Sequence, residues 1–155
     1  MNSFEIIEYQ SGTRGTVYTI EFENDTYNQA EKFFADAGTK EPIDTAKIVN
    51  KLDIMTNRKG FADNFFEHQY DVVEKISIRE VRLYCLRFNE IILIIGGGGI
   101  KTKRRTQDHP QLQEVVNLLI QVNALMDKRF QGKDGDKELK IVDNKLIGDL
   151  KFDLH

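Results

Sequence analysis

Cysteine, histidine and proline are scarce in this 155-residue chain, and long apolar runs are missing. The single cysteine, Cys85, has no partner within the chain, so no intramolecular disulfide is expected and a cytoplasmic setting fits. The three histidines, His68, His109 and His155, are spaced for neither an HExxH helix nor a Cys/His zinc pattern. No metal site and no cofactor are therefore expected. The longest apolar run, Ile91–Ile95, is far too short to span a membrane. Met1-Asn2-Ser3-Phe4 leads into a charged segment instead of an apolar leader, so no signal peptide is expected. Global positive charge is lacking too. The net charge is −3 and the pI near 5.7, which excludes a general nucleic-acid coat. Any binding of a polyanion has to come from a local patch. No internal repeat or low-complexity tract is present. The length suits one soluble globular domain with a real core.

What is present sets out strands interrupted by three helical stretches. Phe4 to Tyr9 and Val17 to Phe22 read as short strands, with Ser11-Gly12-Thr13-Arg14-Gly15 as the turn between them. Asn24 or Asp25 is placed to cap a helix. In it Tyr27, Ala30, Phe33, Phe34 and Ala37 recur at helical spacing, and Gly38 closes it. Both prolines fall at helix starts. Pro42 opens a second helix with Ile43, Ala46, Val49, Leu52 and Met55 along one face, stopped by Arg58-Lys59-Gly60. The short link makes the two an antiparallel helical hairpin able to cover one sheet face. Pro110, after Asp108-His109, opens a third helix striped by Leu112, Val115, Val116, Leu119, Val122 (or Asn123) and Met126 to about Phe130.

Between the second and third helices lie an aromatic cluster and the most informative stretch of the chain. Phe61, Phe65, Phe66 and Tyr70 tuck a loop or short helix onto the core, and Val72 to Ile78 reads as a short strand. In Val81 to Phe88, Val81, Leu83, Cys85 and Arg87 alternate with Arg82, Tyr84, Leu86 and Phe88, a strand period. Asn89-Glu90 is the turn, and Ile91 to Ile95 returns as a strand suited to burial on both faces. With no room for a crossover, the two strands should pair antiparallel as central strands. Cys85 among them reads as an inert core thiol. After Phe130, Gln131 to Asp136 reads as a polar linker and Leu139 to Phe152 as a β-hairpin turning at Asp143-Asn144. The expected fold is α+β. An antiparallel sheet carries the helical hairpin on one face, followed by a C-terminal helix and an added C-terminal β-hairpin. The expected division is 1–130 for the main domain and 131–155 for linker and hairpin, the hairpin packing separately on a sheet edge or partner surface.

Gly96-Gly97-Gly98-Gly99-Ile100-Lys101-Thr102 invites a phosphate-loop reading and fails it in detail. Ile100 stands where a Walker loop needs glycine before its lysine, and no helix opens there. A glycine-rich strand end or bulge, where backbone approaches something closely, is the expectation. Within residues 79–105 seven cations (Arg79, Arg82, Arg87, Lys101, Lys103, Arg104 and Arg105) stand against Glu80 and Glu90. Two readings remain open from composition, a solvated rim or a phosphate-binding patch. RNA sites combine such cations with an aromatic stacking surface. Arg82 and Tyr84 fall on the same strand face, which makes that face the candidate RNA surface. His109, beside the basic segment, is either a surface histidine at a helix start or a proton carrier.

The order of elements, read with VRLYCLRF followed by EIILIIGGGGIKTKRR, resembles the RelE/HigB toxins of bacterial toxin–antitoxin pairs, most closely the phage-derived, HigB-like branch. The resemblance covers roughly Val17 to Val122 and leaves out the segments before Val17 and after Phe130. It implies a RelE-like fold and a metal-independent, ribosome-dependent endoribonuclease, an mRNA interferase. In that reaction the substrate's own 2′-hydroxyl attacks the neighbouring phosphate. By position Arg82 matches the strand arginine that contacts the scissile phosphate, and Lys101 and Lys103 fall in the later basic segment. These three are the implied catalytic residues. Tyr84, Arg87, Arg104, Arg105 and His109 are the implied RNA-binding ones. The implied partners are mRNA on the ribosome and a cognate antitoxin, a small helix-turn-helix protein. Lys75 is the lysine on the preceding strand, and the family's C-terminal tyrosine has no counterpart here. The rival class is a non-catalytic module of the toxin fold that binds a protein partner or RNA.

Overall fold

A computed structural model describes residues 2–102, 105 and 108–154. Strand β1 (Asn2–Ser11) and β2 (Thr16–Phe22) pair antiparallel, with Phe4 opposite Phe22 and Ile6 opposite Ile20. Helix α1 (Gln29–Lys40) starts later than Asn24 or Asp25 because Asn28 makes the better cap. Its side chain accepts the Glu31 N–H at 2.8 Å while the Glu31 carboxylate accepts the Asn28 N–H at 3.0 Å, which satisfies two otherwise orphaned donors. The Ala30 N–H also reaches Thr19 Oγ1 at 3.0 Å, tying the first turn to β2. Gly38 lies inside α1, which runs on to Lys40, where Pro42 bars continuation. Helix α2 (Pro42–Ile54) passes into one wider π turn over Met55–Lys59, closed by Gly60 at φ 73°.

Four strands follow, β3 (Glu67–Tyr70), β4 (Val73–Ile78), β5 (Val81–Phe88) and β6 (Ile92–Ile100), then α3 (Pro110–Phe130). The chain ends in β7 (Leu139–Val142), β8 (Lys145–Gly148) and β9 (Lys151–Leu154). Seven strands form one sheet in the order β3-β4-β5-β6-β2-β1-β9, and β7-β8 stand as a separate hairpin. As expected, β5 and β6 pair antiparallel through a turn at Asn89-Glu90, both residues at positive φ (54° and 59°).

The expected all-antiparallel sheet is corrected to a mixed one, because β2 and β6 pair parallel from Thr16 opposite Ile92 to Thr19 opposite Ile95. The cause is connectivity. The helical hairpin carries the chain over one face, and the antiparallel meander β3–β5 returns it so that β6 enters from the same end as β2. The glycine tetrad lies within β6, where the pairing slips between Tyr84–Gly97 and Cys85–Ile95 and leaves Gly96 as the extra residue of a bulge. A Cβ on Gly96 would sit 2.6 Å from Leu119 of α3, and one on Gly98 only 2.0 Å from the Arg82 carbonyl oxygen. Bare backbone at Gly96 lets α3 lie directly on the strand, while at Gly98 it leaves room for β5 and for Phe33 of α1.

The sheet therefore has a core on each face. Phe33, Ile48, Leu52, Leu83, Leu93 and Ile95 fill the side under α1 and α2. Tyr18, Ile20, Tyr84, Leu86, Leu112 and Leu119 fill the side under α3. Leu139, Leu146 and Phe152 belong to that second core, and β9 pairs with β1 from Asn2–Leu154 to Glu5–Lys151. The strand that covers a sheet edge is β9, not the expected hairpin, whose strands β7 and β8 pair only with each other, and the whole last segment shares the core instead of packing apart from it. The reason is its alternation: Leu139, Leu146 and Phe152 turn inward while their neighbours stay in solvent. Among the described residues no helix is long and apolar enough to cross a membrane.

Two side chains in this frame carry predictions. Cys85 is fully buried, and burial pushes its thiol well above the ordinary range. Cys85 should resist alkylation in the native protein and react at the rate of a free thiol only in denaturant; rapid native labelling in a mass-spectrometric time course would contradict the packing. Arg129, 4 % exposed, lies 3.7 Å over the Phe152 ring, donates from Nε to Asp134 at 2.8 Å and from Nη1 to the Asp149 carbonyl at 2.8 Å. Arg129→Ala should cost roughly 2–4 kcal/mol, seen as a Tm lower by about 5–15 °C. The hydrogen bond from Arg129 holds the Asp134 carboxyl below its usual range. That contribution is present above the unfolded carboxylate range and is lost as pH falls through the folded value. The stability gap between wild type and variant should therefore narrow in acid.

Candidate nucleic-acid interface

β4 and β5 place their side chains by alternation and register. Lys75 stands opposite Tyr84 and Ser77 opposite Arg82, so Lys75, Ser77, Arg82 and Tyr84 share the α3 side of the sheet. Arg82 in turn stands opposite Gly99 of β6, next to the end of the glycine tetrad. One residue beyond β6, the Lys101 N–H donates to the Glu80 carbonyl at 2.7 Å, which pins the exit of β6 to the β4–β5 turn. Three cations from separate strands or strand ends thereby meet at one end of the sheet.

Their surroundings differ. Arg82 Nη1 donates to the carbonyls of Arg79 and Val81, while its Nε and the Ser77 Oγ are buried without a hydrogen-bond partner. Lys75 Nζ donates to Gln69 Oε1 at 3.1 Å. Partial burial lowers the Lys75 ammonium pKa, and the charges of Lys101 and Arg82 lower it further, against an opposing pull from Glu67. Beside them runs a groove of about 540 Å³ lined by Gln69, Tyr70, Lys101, Arg105, Gln113, Val116 and Asn117. Tyr70 is 62 % exposed there. On the α3 wall Gln113 Nε2 donates to Asn117 Oδ1 at 3.0 Å. Arg105 is exposed and pairs with Asp108 at 3.6 Å.

The sequence-derived residues divide accordingly. Arg82 and Lys101 come together, and Arg105 lies on the same groove. Tyr84 is fully buried under α3, packed in the core with Leu112 and Val116, so the face it shares with Arg82 is not an open surface. The glycine tetrad is what allows α3 to close over it. Arg87 lies at the other end of β5 and on the other face. It donates to both Glu74 oxygens (2.7 and 2.8 Å) and to the Phe61 carbonyl, pairs with Asp63 at 2.8 Å and stacks 4.6 Å over Phe66. It fastens the aromatic cluster. His109 is 9 % exposed at the N-cap position of α3. Lys103 and Arg104 lie outside the described residues. The resemblance singled out Lys75 as the lysine on the preceding strand without giving it a role, and Tyr70 was visible only as one member of an aromatic cluster. Cross-strand register, which the sequence does not print, is what brings them to Arg82 and Lys101.

The cluster can neutralise a phosphate diester, and one member, Lys75, can exchange a proton nearer to neutrality than a free lysine. Among the described residues no group of three or more His, Cys, Asp or Glu side chains is arranged to hold a metal ion. Compared with protein-family models, with curated proteins and with solved structures, the chain matches none of them.

Proposed function

We propose that this chain is a RelE/HigB-like toxin, a cytoplasmic endoribonuclease that cuts mRNA on the translating ribosome without a metal and is held in check by a helix-turn-helix antitoxin. The observation that carries the reading is the meeting of Lys75, Arg82 and Lys101 beside a groove with an exposed aromatic ring, Tyr70. Cations on phosphates and a ring for a base are what single-stranded RNA recognition requires. Arg82 and Lys101 bear on the scissile phosphate. Lys75, with its lowered pKa, takes the proton of the 2′-hydroxyl as that oxygen bonds to phosphorus. The bond to the 5′ oxygen breaks, and an ammonium of the cluster returns a proton to the leaving alkoxide.

Induced expression in bacterial cells should stop growth and leave mRNA cut within translated frames. Purified protein, treated with a chelator and freed of it before the assay, should cut mRNA on translating ribosomes. A 2′-deoxy nucleotide 5′ to the scissile phosphate should block the cut. Harmless expression and intact mRNA would leave the non-catalytic binding module as the standing reading.

A further inference from the structure

The parallel strands β2 and β6 part after Thr19 and Ile95. Their pairing stops there, while β2 stays paired to β1 as far as Phe22 and β6 to β5 as far as Ile100. The helices that follow them go to opposite faces. α1 packs into the core of Val17 and Leu93, and α3 into the core of Tyr18 and Ile94. In open α/β sheets, the crevice beyond the carboxyl ends of such neighbouring strands is where ligands sit. Here it holds a cavity of about 420 Å³, separate from the basic groove and within the range of small-molecule sites.

The lining selects the chemistry. Gly97 and Gly98 give backbone without side chains, Phe22 gives ring surface, and the buried Phe33 closes the cavity on the α1 side. Gln29 enters from α1 and Gln111 from α3, one carboxamide from each side. Gln29 Nε2 donates to the Gly96 carbonyl at 3.3 Å, and its Oε1 is an acceptor. Lys32 and Asp36 at the mouth are paired with Asp25 and Lys40. Glu114 adds negative charge to the lining and disfavours an anion. An aromatic wall at Phe22 with two carboxamides and no unpaired cation suits a flat, uncharged heterocycle that carries donors and acceptors on its edge. We infer that the β2/β6 crevice binds a nucleobase, stacked against phenylalanine and read at its edge by Gln29 and Gln111.

The base has two possible sources, a free nucleoside or an RNA strand. α3 lies between crevice and groove. Gln111, Glu114 and Val115 line the crevice, while Gln113, Val116 and Asn117 line the groove. A strand crossing the start of α3 would place one base in the crevice and its phosphates in the groove. Only that second source rests on the proposed RNA function.

Adenosine and guanosine, titrated separately into the full-length ¹⁵N-labelled protein, should give saturable shifts at the Gly97 and Gly98 amides. Gln29→Leu with Gln111→Leu should weaken binding by about tenfold or more, the loss expected for one or two hydrogen bonds. Lys101→Ala with Arg105→Ala should leave nucleoside binding unchanged. If a short single-stranded RNA displaces the nucleoside from wild type but not from the Lys101/Arg105 variant, the base is that of RNA. If it displaces neither, the ligand is a free nucleoside. Absence of saturable shifts at Gly97 and Gly98 in wild type overturns the inference, as does unchanged binding by the folded double-glutamine variant. Nucleoside binding without any mRNA cleavage upholds the crevice and defeats the nuclease reading.

Discussion

A chain that ends at Phe130 should not fold. The missing residues remove Leu139, Leu146 and Phe152, each 5 % exposed or less, from the core beneath α3. Burial of side chains of this size is worth about 1.5–3 kcal/mol each. Together they approach the roughly 5–15 kcal/mol by which whole domains are stable. The truncation also strips β9 from the edge of β1, takes away the Leu146 N–H that donates to Tyr18 Oη at 2.9 Å and the Asn144 carbonyl that accepts from Thr16 Oγ1 at 2.6 Å, and leaves the guanidinium of Arg129 without Asp134, Asp149 or the Phe152 ring. Circular dichroism of the truncated chain should show no cooperative thermal transition. A sharp transition near that of the full chain would mean that residues 131–155 are an appendage after all. Because such a variant loses its fold, its loss of activity says nothing about the site.

The elements that alternation or a turn residue governs could be read locally. β5 falls where the period of two puts it, Asn89-Glu90 turns, Asp143-Asn144 turns with both residues at positive φ, and Pro42 and Pro110 open their helices. The start of α1 was not legible, because Asn24, Asp25 and Asn28 are all able caps. Only the reciprocal bond with Glu31 singles out Asn28. The parallel pairing of β2 with β6 was beyond local reading, since it depends on which way the chain returns after about seventy residues. The site followed the same division. The resemblance pointed to Arg82 and Lys101, and the structure brings the two to one end of the sheet. Tyr84 was misplaced because alternation names a face without saying what covers it, and the cover is α3, resting on bare glycine backbone. Tyr70 and Lys75 needed the register of β3, β4 and β5.

On the proposed nuclease reading, Arg82→Ala and Lys101→Ala, each made singly, should slow mRNA cleavage by about 10²–10³, the effect expected when a preorganised charge on the transition state is lost. Neither change opens a core, since Arg82 is partly exposed and Lys101 lies beyond the end of β6. Lys75 separates charge from proton transfer. Its ammonium is lowered from 10.5 by burial and by its cationic neighbours, so the neutral amine becomes available at a lower pH than for a free lysine. The wild-type rate should rise with pH and level off below the ordinary lysine range. Removing the charge of Lys101 lifts part of the depression, so in Lys101→Ala the plateau should move to higher pH. Lys75→Arg retains a positive charge but cannot lose it in this range. It should cut the rate by about 10²–10⁴ and flatten the rising limb, while binding of uncleavable 2′-deoxy substrate stays close to wild type. An Arg variant that keeps both the rate and the pH profile would reduce Lys75 to a point charge and leave the proton transfer to another group. If Lys75→Arg, Arg82→Ala and Lys101→Ala all cut as fast as wild type, the cluster is a charged rim and the scissile phosphate lies elsewhere.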